Sequence, residues 1–271
     1  MSERDAYEPG VPCWVDTLQP DPEAAKGFYG KLFGWEFAGP GLMPGSPPGR
    51  YFVARLRGRD VAGVGSRPVD GGPGTRTWNT YVCVASAEDA AQKVKRAGGT
   101  VLAAPMDVLP AGRMSVLADP AGASFCAWEP RARKGAQLVN EPGAWAMSML
   151  ETRDLEWSAA FYGAVFGWTT ERFELRDGSI TMFRLPGYVG GEPEQPVSRE
   201  VVAAMALARD AAPPRWSVDF WVHDVDAVAT NAAALGGRIV VAPFSTPVGR
   251  TAVLADPHGV SFSVSKVRAR R

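Results

Sequence analysis

The chain is written twice, and that duplication limits what it can fold into more than any other feature. Gly112-Arg113, then Val116-Leu117-Ala118-Asp119-Pro120 and Gly122, return as Gly249-Arg250, then Val253-Leu254-Ala255-Asp256-Pro257 and Gly259. Upstream, Phe28-Tyr29 with Phe33-Gly34-Trp35 return as Phe161-Tyr162 with Phe166-Gly167-Trp168. The offsets are 133 residues for the early motif and 137 for the late one, a period too long for a solenoid and suited to two related domains.

Each half repeats again at shorter range. Pro12 to Leu18 reads as a strand, followed by Asp21 at a helix N-cap position, Pro22 at the first helical position and an apolar stripe ending at Gly34. Gly39 to Gly49, rich in Pro and Gly, is expected to be loop, and Tyr51 to Arg55 and Val61 to Gly65 are expected strands. The same order recurs from Trp78: strand, helix over Ser86 to Ala97, strand, then a hairpin whose Asp-Pro-x-Gly turn supplies a rigid corner and a permissive glycine. The pattern predicts four β-α-β-β-β units, an α+β fold with a first domain over 1–130, a linker over 131–143 and a second domain over 144–271. In the third unit we expect strands near Trp168 to Phe173, Ile180 to Leu185 and Tyr188 to Gly191. An irregular crossover over Pro193 to Pro214, with a short helix at Arg199 to Ala208, should follow.

Composition excludes several function classes. A length of 271 residues allows two cores, and a formal net charge of zero gives no global field to recruit nucleic acid or an anionic membrane. Cys13, Cys83 and Cys126 all fall in the first half, an odd and uneven set that makes a poor disulfide framework and favours a reducing cytoplasm. Met1 to Gly10 lacks a signal-peptide pattern, and no apolar run approaches a membrane span. Gly71-Gly72-Pro73-Gly74 follows no strand and contains a proline, so no nucleotide-phosphate loop, and no flavin or nicotinamide cofactor, is expected. The richness in Ala, Gly, Pro and Arg points to a GC-rich genome.

Paired strand-helix-three-strand units with Phe-Tyr and Phe-Gly-Trp on the first helix, and a closing Asp-Pro-x-Gly hairpin, resemble the vicinal oxygen chelate superfamily of glyoxalases, bleomycin-resistance proteins and extradiol dioxygenases. The tandem-domain type, similar to the mycobacterial culture-filtrate antigen and other actinobacterial glyoxalase-like proteins, is the nearer likeness. It rests on Tyr7-Glu8-Pro9-Gly10-Val11-Pro12-Cys13-Trp14, Trp78-Asn79-Thr80-Tyr81 and Leu138-Val139-Asn140-Glu141. The resemblance implies that paired units roll into a cup, with His and Glu ligands to a divalent ion on three inner strands. The matching positions here are Trp14, Asn79 and Cys126 in one half and Met147, Ser217 and Ser263 in the other. None is His, Asp or Glu, so no metal is expected. The two histidines, His223 beside a helix cap and His258 in a turn, read as surface residues.

Strand alternation gives the remaining inward positions. Asp16, Asn79, Tyr81 and Trp128 join Trp14 and Cys126 in the first cup; Met149, Glu151, Asp219 and Trp221 join Met147, Ser217 and Ser263 in the second. Aromatic walls with a few placed polar groups suit a small hydrophobic or aromatic ligand. Asp16 and Asp219 are the candidate acid-base groups, since desolvation raises a carboxyl pKa toward neutrality. Cys126 is expected to be an inert thiol, and Arg113 and Arg250, which recur in both copies, are expected to share a structural role, such as pairing with Asp119 and Asp256, over a catalytic one. The resemblance implies a role in natural-product metabolism or resistance, as a binding protein or as a lyase, isomerase or hydroxylase-type enzyme. We expect it to act as a monomer or homodimer.

Overall fold

The computed structural model describes residues 3–43, 48–67, 77–175, 178–190, 199–208, 212–247 and 249–267. The first half runs β1 (Pro12–Gln19), α1 (Pro22–Phe33), β2 (Glu36–Met43), β3 (Gly49–Leu56), β4 (Arg59–Ser66), β5 (Trp78–Cys83), α2 (Ala87–Arg96), β6 (Thr100–Val108), β7 (Gly112–Ala118) and β8 (Ser124–Pro130). The second runs β9 (Trp145–Thr152), α3 (Leu155–Phe166), β10 (Thr169–Leu175), β11 (Gly178–Arg184), β12 (Val201–Leu207), β13 (Arg215–Trp221), α4 (Val225–Ala234), β14 (Arg238–Thr246), β15 (Gly249–Ala255) and β16 (Ser261–Val267).

Each half forms one curled eight-stranded sheet, ordered β2-β3-β4-β1-β5-β8-β7-β6 and β10-β11-β12-β9-β13-β16-β15-β14. Every quarter brings its first and last strands together in parallel, as in β1 with β4 and β13 with β16. Quarters then join through the antiparallel pairs β1–β5 and β9–β13. This is the expected α+β arrangement of four β-α-β-β-β modules. The helix signals work as the sequence implies. Asp21 accepts from the amides of Glu23 and Ala24, and Gly34 closes α1 at φ 74°. Asp154 accepts from the amide of Trp157, and Gly167 closes α3 at φ 76°. An N-cap of this kind is worth about 1 kcal/mol.

Three local expectations are corrected. Arg199 to Ala208 contains no helix: Val201–Leu207 is the strand β12, parallel to β9. Its middle residues are buried, and a strand covered on both faces reads as a continuous apolar run with no period. Tyr188 to Gly190 is turn and irregular chain, with the Tyr188 amide bonded to the Leu185 carbonyl; Gly191 lies outside the described residues. Gly39 to Met43 belongs to β2, which pairs with β3 around a register shift between Ala38 and Gly41; residues 44–47 lie outside the described residues. So do Gly71 to Gly74 and the last four residues of the basic end.

The repeated motifs lock the halves together. Cys13, Val15 and Thr17 on β1 and Trp216, Val218 and Phe220 on β13 all lie on the faces turned away from the cups, and all are buried. Phe33 and Trp78 of the first half meet Phe220 of the second at 5.0 Å between ring centres. Phe125 of the first half meets Tyr162 of the second at 5.6 Å. Both apolar cores therefore draw residues from both halves.

Polar contacts follow the same exchange. The Tyr29 hydroxyl donates to Asp256 Oδ2 at 2.9 Å and accepts from Trp78 Nε1 at 3.2 Å. In the other direction Tyr162 donates to Asp119 Oδ2 at 3.2 Å and accepts from Trp216 Nε1 at 2.9 Å. Trp35 donates to the Gly143 carbonyl and Trp168 to that of Gly10. The hairpin aspartates thus serve their own turns and the opposite helix. The expected pairing with the repeated arginines is wrong: Arg113 pairs with Glu88 and Asp107, and Arg250 with Asp226.

Candidate functional site

In the first cup, a carboxylate is wired into a buried network. Asp16 on β1 accepts from Asn79 Nδ2 at 2.9 Å through Oδ1, and from Tyr81 and Tyr51 hydroxyls at 2.8 and 2.9 Å through Oδ2. The Tyr51 oxygen in turn accepts from Trp14 Nε1 at 2.9 Å. Tyr51 reaches in from β3 across Gly63 of β4, the register partner of Asp16. A Cβ at Gly63 would stand 1.9 Å from the Tyr51 hydroxyl, so the network needs glycine there.

Trp14, Asp16, Asn79, Tyr81, Cys126 and Trp128 are each at most 6% exposed. The segment between the halves closes one end of this cup: Trp128 Nε1 donates to the Arg133 carbonyl at 3.0 Å, and the Arg133 guanidinium lies 5.3 Å from the Trp14 ring while pairing with Asp60. Burial pushes the Asp16 carboxyl up, and its three hydrogen bonds oppose that rise. Burial, and then the charge of Asp16, push the Tyr51 and Tyr81 hydroxyls up, which keeps them protonated as donors. Cys126 is raised by burial and by Asp16, so it is a protonated thiol; all three cysteines are buried and unpaired.

The second cup is built on the same strands and is open. Met147, Met149, Glu151, Ser217, Asp219, Trp221, Ser263 and Ser265 are all half-buried. Cross-strand register places Met147, Asp219, Ser263, Val253 and Val241 in one row, with Trp221, Ser265, Thr251 and Phe244 in the next. Phe244, on the edge strand β14, is 38% exposed. On the other side, Met182, Ala204, Met149 and Ser217 form a third row. Asp219 Oδ2 accepts from the Ser265 hydroxyl. Although part of the residue reaches the cup surface, its carboxyl is poorly hydrated, and burial pushes it up to about 7 against the one hydrogen bond that lowers it. Glu151 pairs with Arg215 at 2.8 Å at the cup margin.

Strand parity brings the expected residues into two groups, one of six that includes Asp16 and one of seven that includes Asp219. Sequence reasoning missed Tyr51, Gly63 and Arg133 in the first cup and Met182 and Phe244 in the second. Tyr51 and Phe244 carry only the weak signal of strand alternation; Arg133, outside any strand, carries none. His223 is exposed at the β13–α4 junction and His258 in its turn, as expected. His223 lines a cleft of about 630 Å³ between α1 and α4 that contains none of the cup residues.

The positions that the superfamily resemblance assigns to a divalent ion do not fit one. The Trp14 indole and the Asn79 amide nitrogen are hydrogen-bond donors already committed to Tyr51 and Asp16, and the Cys126 thiol is held protonated. Met147, Ser217 and Ser263 offer a thioether and two neutral hydroxyls, where such ions take imidazole and carboxylate. Among the described residues, no three His, Cys, Asp or Glu side chains converge on a metal-sized position.

Two duplicated sheets, each rolled around a cup whose inward residues are aromatic, thioether and a few polar groups, define a scaffold of two paired cups. The chain belongs to the glyoxalase-like domain family, whose model matches residues 14–128 and again 147–265. It is similar to CFP32 of Mycobacterium tuberculosis, named after the glyoxylases, with 38% identity over 98% of both chains. It is also similar to the anthracycline biosynthesis protein DnrV of Streptomyces peucetius, with 35% identity over 97% of this chain and 95% of that one. Among solved structures, the Mn(II)-bound glyoxalase of Novosphingobium aromaticivorans shares the fold at a TM-score of 0.62, with 15% identity over 95% of this chain and 82% of its own.

Proposed function

We propose that this protein binds a small hydrophobic or aromatic molecule in its second cup, without the divalent ion that the superfamily resemblance implies, in the metabolism of or resistance to a natural product. The observation that carries this reading is the contrast in exposure: the inward positions around Asp219 and Trp221 are half-open, while those around Asp16 are covered. Thioethers and indoles form adaptable, polarizable walls for flat ligands. The relative DnrV carries anthracycline biosynthesis in its name, which makes a fused-ring aromatic the ligand class to try first. On this reading the protein works in the cytoplasm, as a monomer or homodimer.

The test is titration of the full chain with an anthracycline, before and after chelator treatment, followed by calorimetry. The reading expects saturable binding that survives the chelator and weakens roughly tenfold or more in Trp221→Ala. Binding that vanishes with the chelator and returns with manganese or zinc would overturn the metal-free part. Unchanged binding in Trp221→Ala would overturn the assignment to the second cup.

A second reading, an enzyme of the lyase, isomerase or hydroxylase type, is favoured by one observation. A carboxyl raised to about 7 and open to the cup can both take and return a proton near neutral pH. In that case Asp219 is the acid-base group, and Asp219→Asn abolishes turnover while retaining ligand binding. Asp16, with both oxygens engaged and no open side, is the weaker candidate for that role.

A further inference from the structure

The central row of the second cup holds two polar atoms with no partner among the described residues. Asp219 Oδ2 is occupied by Ser265, while Oδ1 receives no hydrogen bond from the described residues, on a side chain that is half-buried. Ser263, the register partner of Asp219 on β16, has a hydroxyl that makes no bond to the described residues. The nearby polar groups are spoken for: Ser217 donates to the Met149 carbonyl at 3.2 Å and Thr251 to the Val264 carbonyl at 3.1 Å. One unsatisfied acceptor and one unsatisfied hydroxyl therefore stand side by side, with Trp221 and Phe244 to one side and Met149 and Met182 to the other.

That arrangement complements a group that donates one hydrogen bond and accepts another from neighbouring directions, on an otherwise apolar flat body. A hydroxyl on an aromatic ring does both. With Asp219 ionised, an ether accepts only and leaves the Asp219 oxygen desolvated and unpaired. A carboxylate would set two acceptors against each other. We propose that Asp219 and Ser263 together select ligands bearing a phenol or enol hydroxyl on a fused-ring system. The hydroxyl donates to Asp219 Oδ1 and accepts from Ser263, and the ring lies over Met147 against Trp221. This inference rests on the reading that the second cup binds an aromatic molecule, and adds the functional group that the ligand carries.

The test compares 2-hydroxyanthraquinone with 2-methoxyanthraquinone, two probes of nearly equal shape, against the full-length protein. The expected result is tighter binding of the hydroxyl probe by roughly 10–100-fold. Asp219→Ala collapses that preference to within about twofold, Ser263→Ala reduces it severalfold, and Trp221→Ala weakens both probes while preserving it. Should Asp219→Ala fail to fold, Ser263→Ala and the wild-type ratio still decide the matter. Equal affinity of the wild type for both probes, with Trp221→Ala weakening both, would overturn the selection of a hydroxyl and leave the binding cup in place. No binding of either probe, or binding indifferent to Trp221→Ala, would overturn the cup reading and this inference with it.

Discussion

The two cups are built by the same strands in the same order, yet they put their acidic group in different places. Asp16 stands on β1 opposite Gly63, and its counterpart opposite Ala204 on β9 is Met149. Asp219 stands on β13 opposite Ser263, where the first half has Tyr81 opposite Cys126. In the first cup two tyrosines and an asparagine converge on the carboxylate and saturate it. In the second, one serine touches it and the remaining oxygen is left to the cup. Duplication kept the frame, including the Tyr–Asp bonds that clasp each helix to the opposite hairpin, and let the inner faces diverge into a sealed core of aromatic rings around Asp16 and an open face of methionines and serines with Trp221 and Phe244.

Substitutions at corresponding sites sharpen that contrast. Asp16→Ala strands three buried donors and is expected to destabilise the protein by about 3–5 kcal/mol in urea unfolding, whereas Asp219→Ala costs less than about 1 kcal/mol. Comparable losses for the two would break the distinction. Gly63→Ala forces the Tyr51 hydroxyl off Asp16 and should cost about 2 kcal/mol by the same assay. A neutral result there would mean that Tyr51 is not needed to seal the first cup. Arg133→Ala uncovers Trp14 and leaves Asp60 with Arg55 as its remaining arginine partner, and about 1 kcal/mol of lost stability with faster quenching of tryptophan fluorescence by acrylamide is expected.

A further contrast lies in the pH dependence. Asp219 has a folded-state pKa raised to about 7, above its unfolded value near ~3.9, so the folded protein holds an extra proton between them. That contribution to stability is fully present below about pH 4 and is lost as pH rises through 7. Asp16, also raised, acts with the same sign. Asp219→Asn should flatten the decline between pH 5 and 8, and an unaltered slope would show that its carboxyl is hydrated like any surface aspartate.

Much of the frame was legible because it is encoded locally. The Asp21-Pro22 start, the Gly34 stop and the Asp-Pro-x-Gly turns each specify their own geometry, and the duplication checks them against a second copy. Inward positions followed from strand alternation. What escaped were consequences of distant chain segments meeting. Val201–Leu207 became a strand because β9 and β11 flank it, not because of any period of its own. The closure of the first cup depends on Tyr51, 35 residues beyond Asp16, and on Arg133, which lies between the halves; no pattern around Asp16 announces either. The repeated arginines misled for the opposite reason, since repetition marked a scaffold role but not the partner.

On the proposed function, ligand enters the second cup and leaves the first untouched. The side-chain indole N–H signals in a ¹H–¹⁵N spectrum test it directly during titration with an anthracycline, with assignments from single Trp→Phe variants. The Trp221 signal is expected to move in proportion to saturation, while those of Trp14 and Trp128, bonded to Tyr51 and to the Arg133 carbonyl, hold still. Movement of Trp14 and Trp128 with a stationary Trp221 would contradict it.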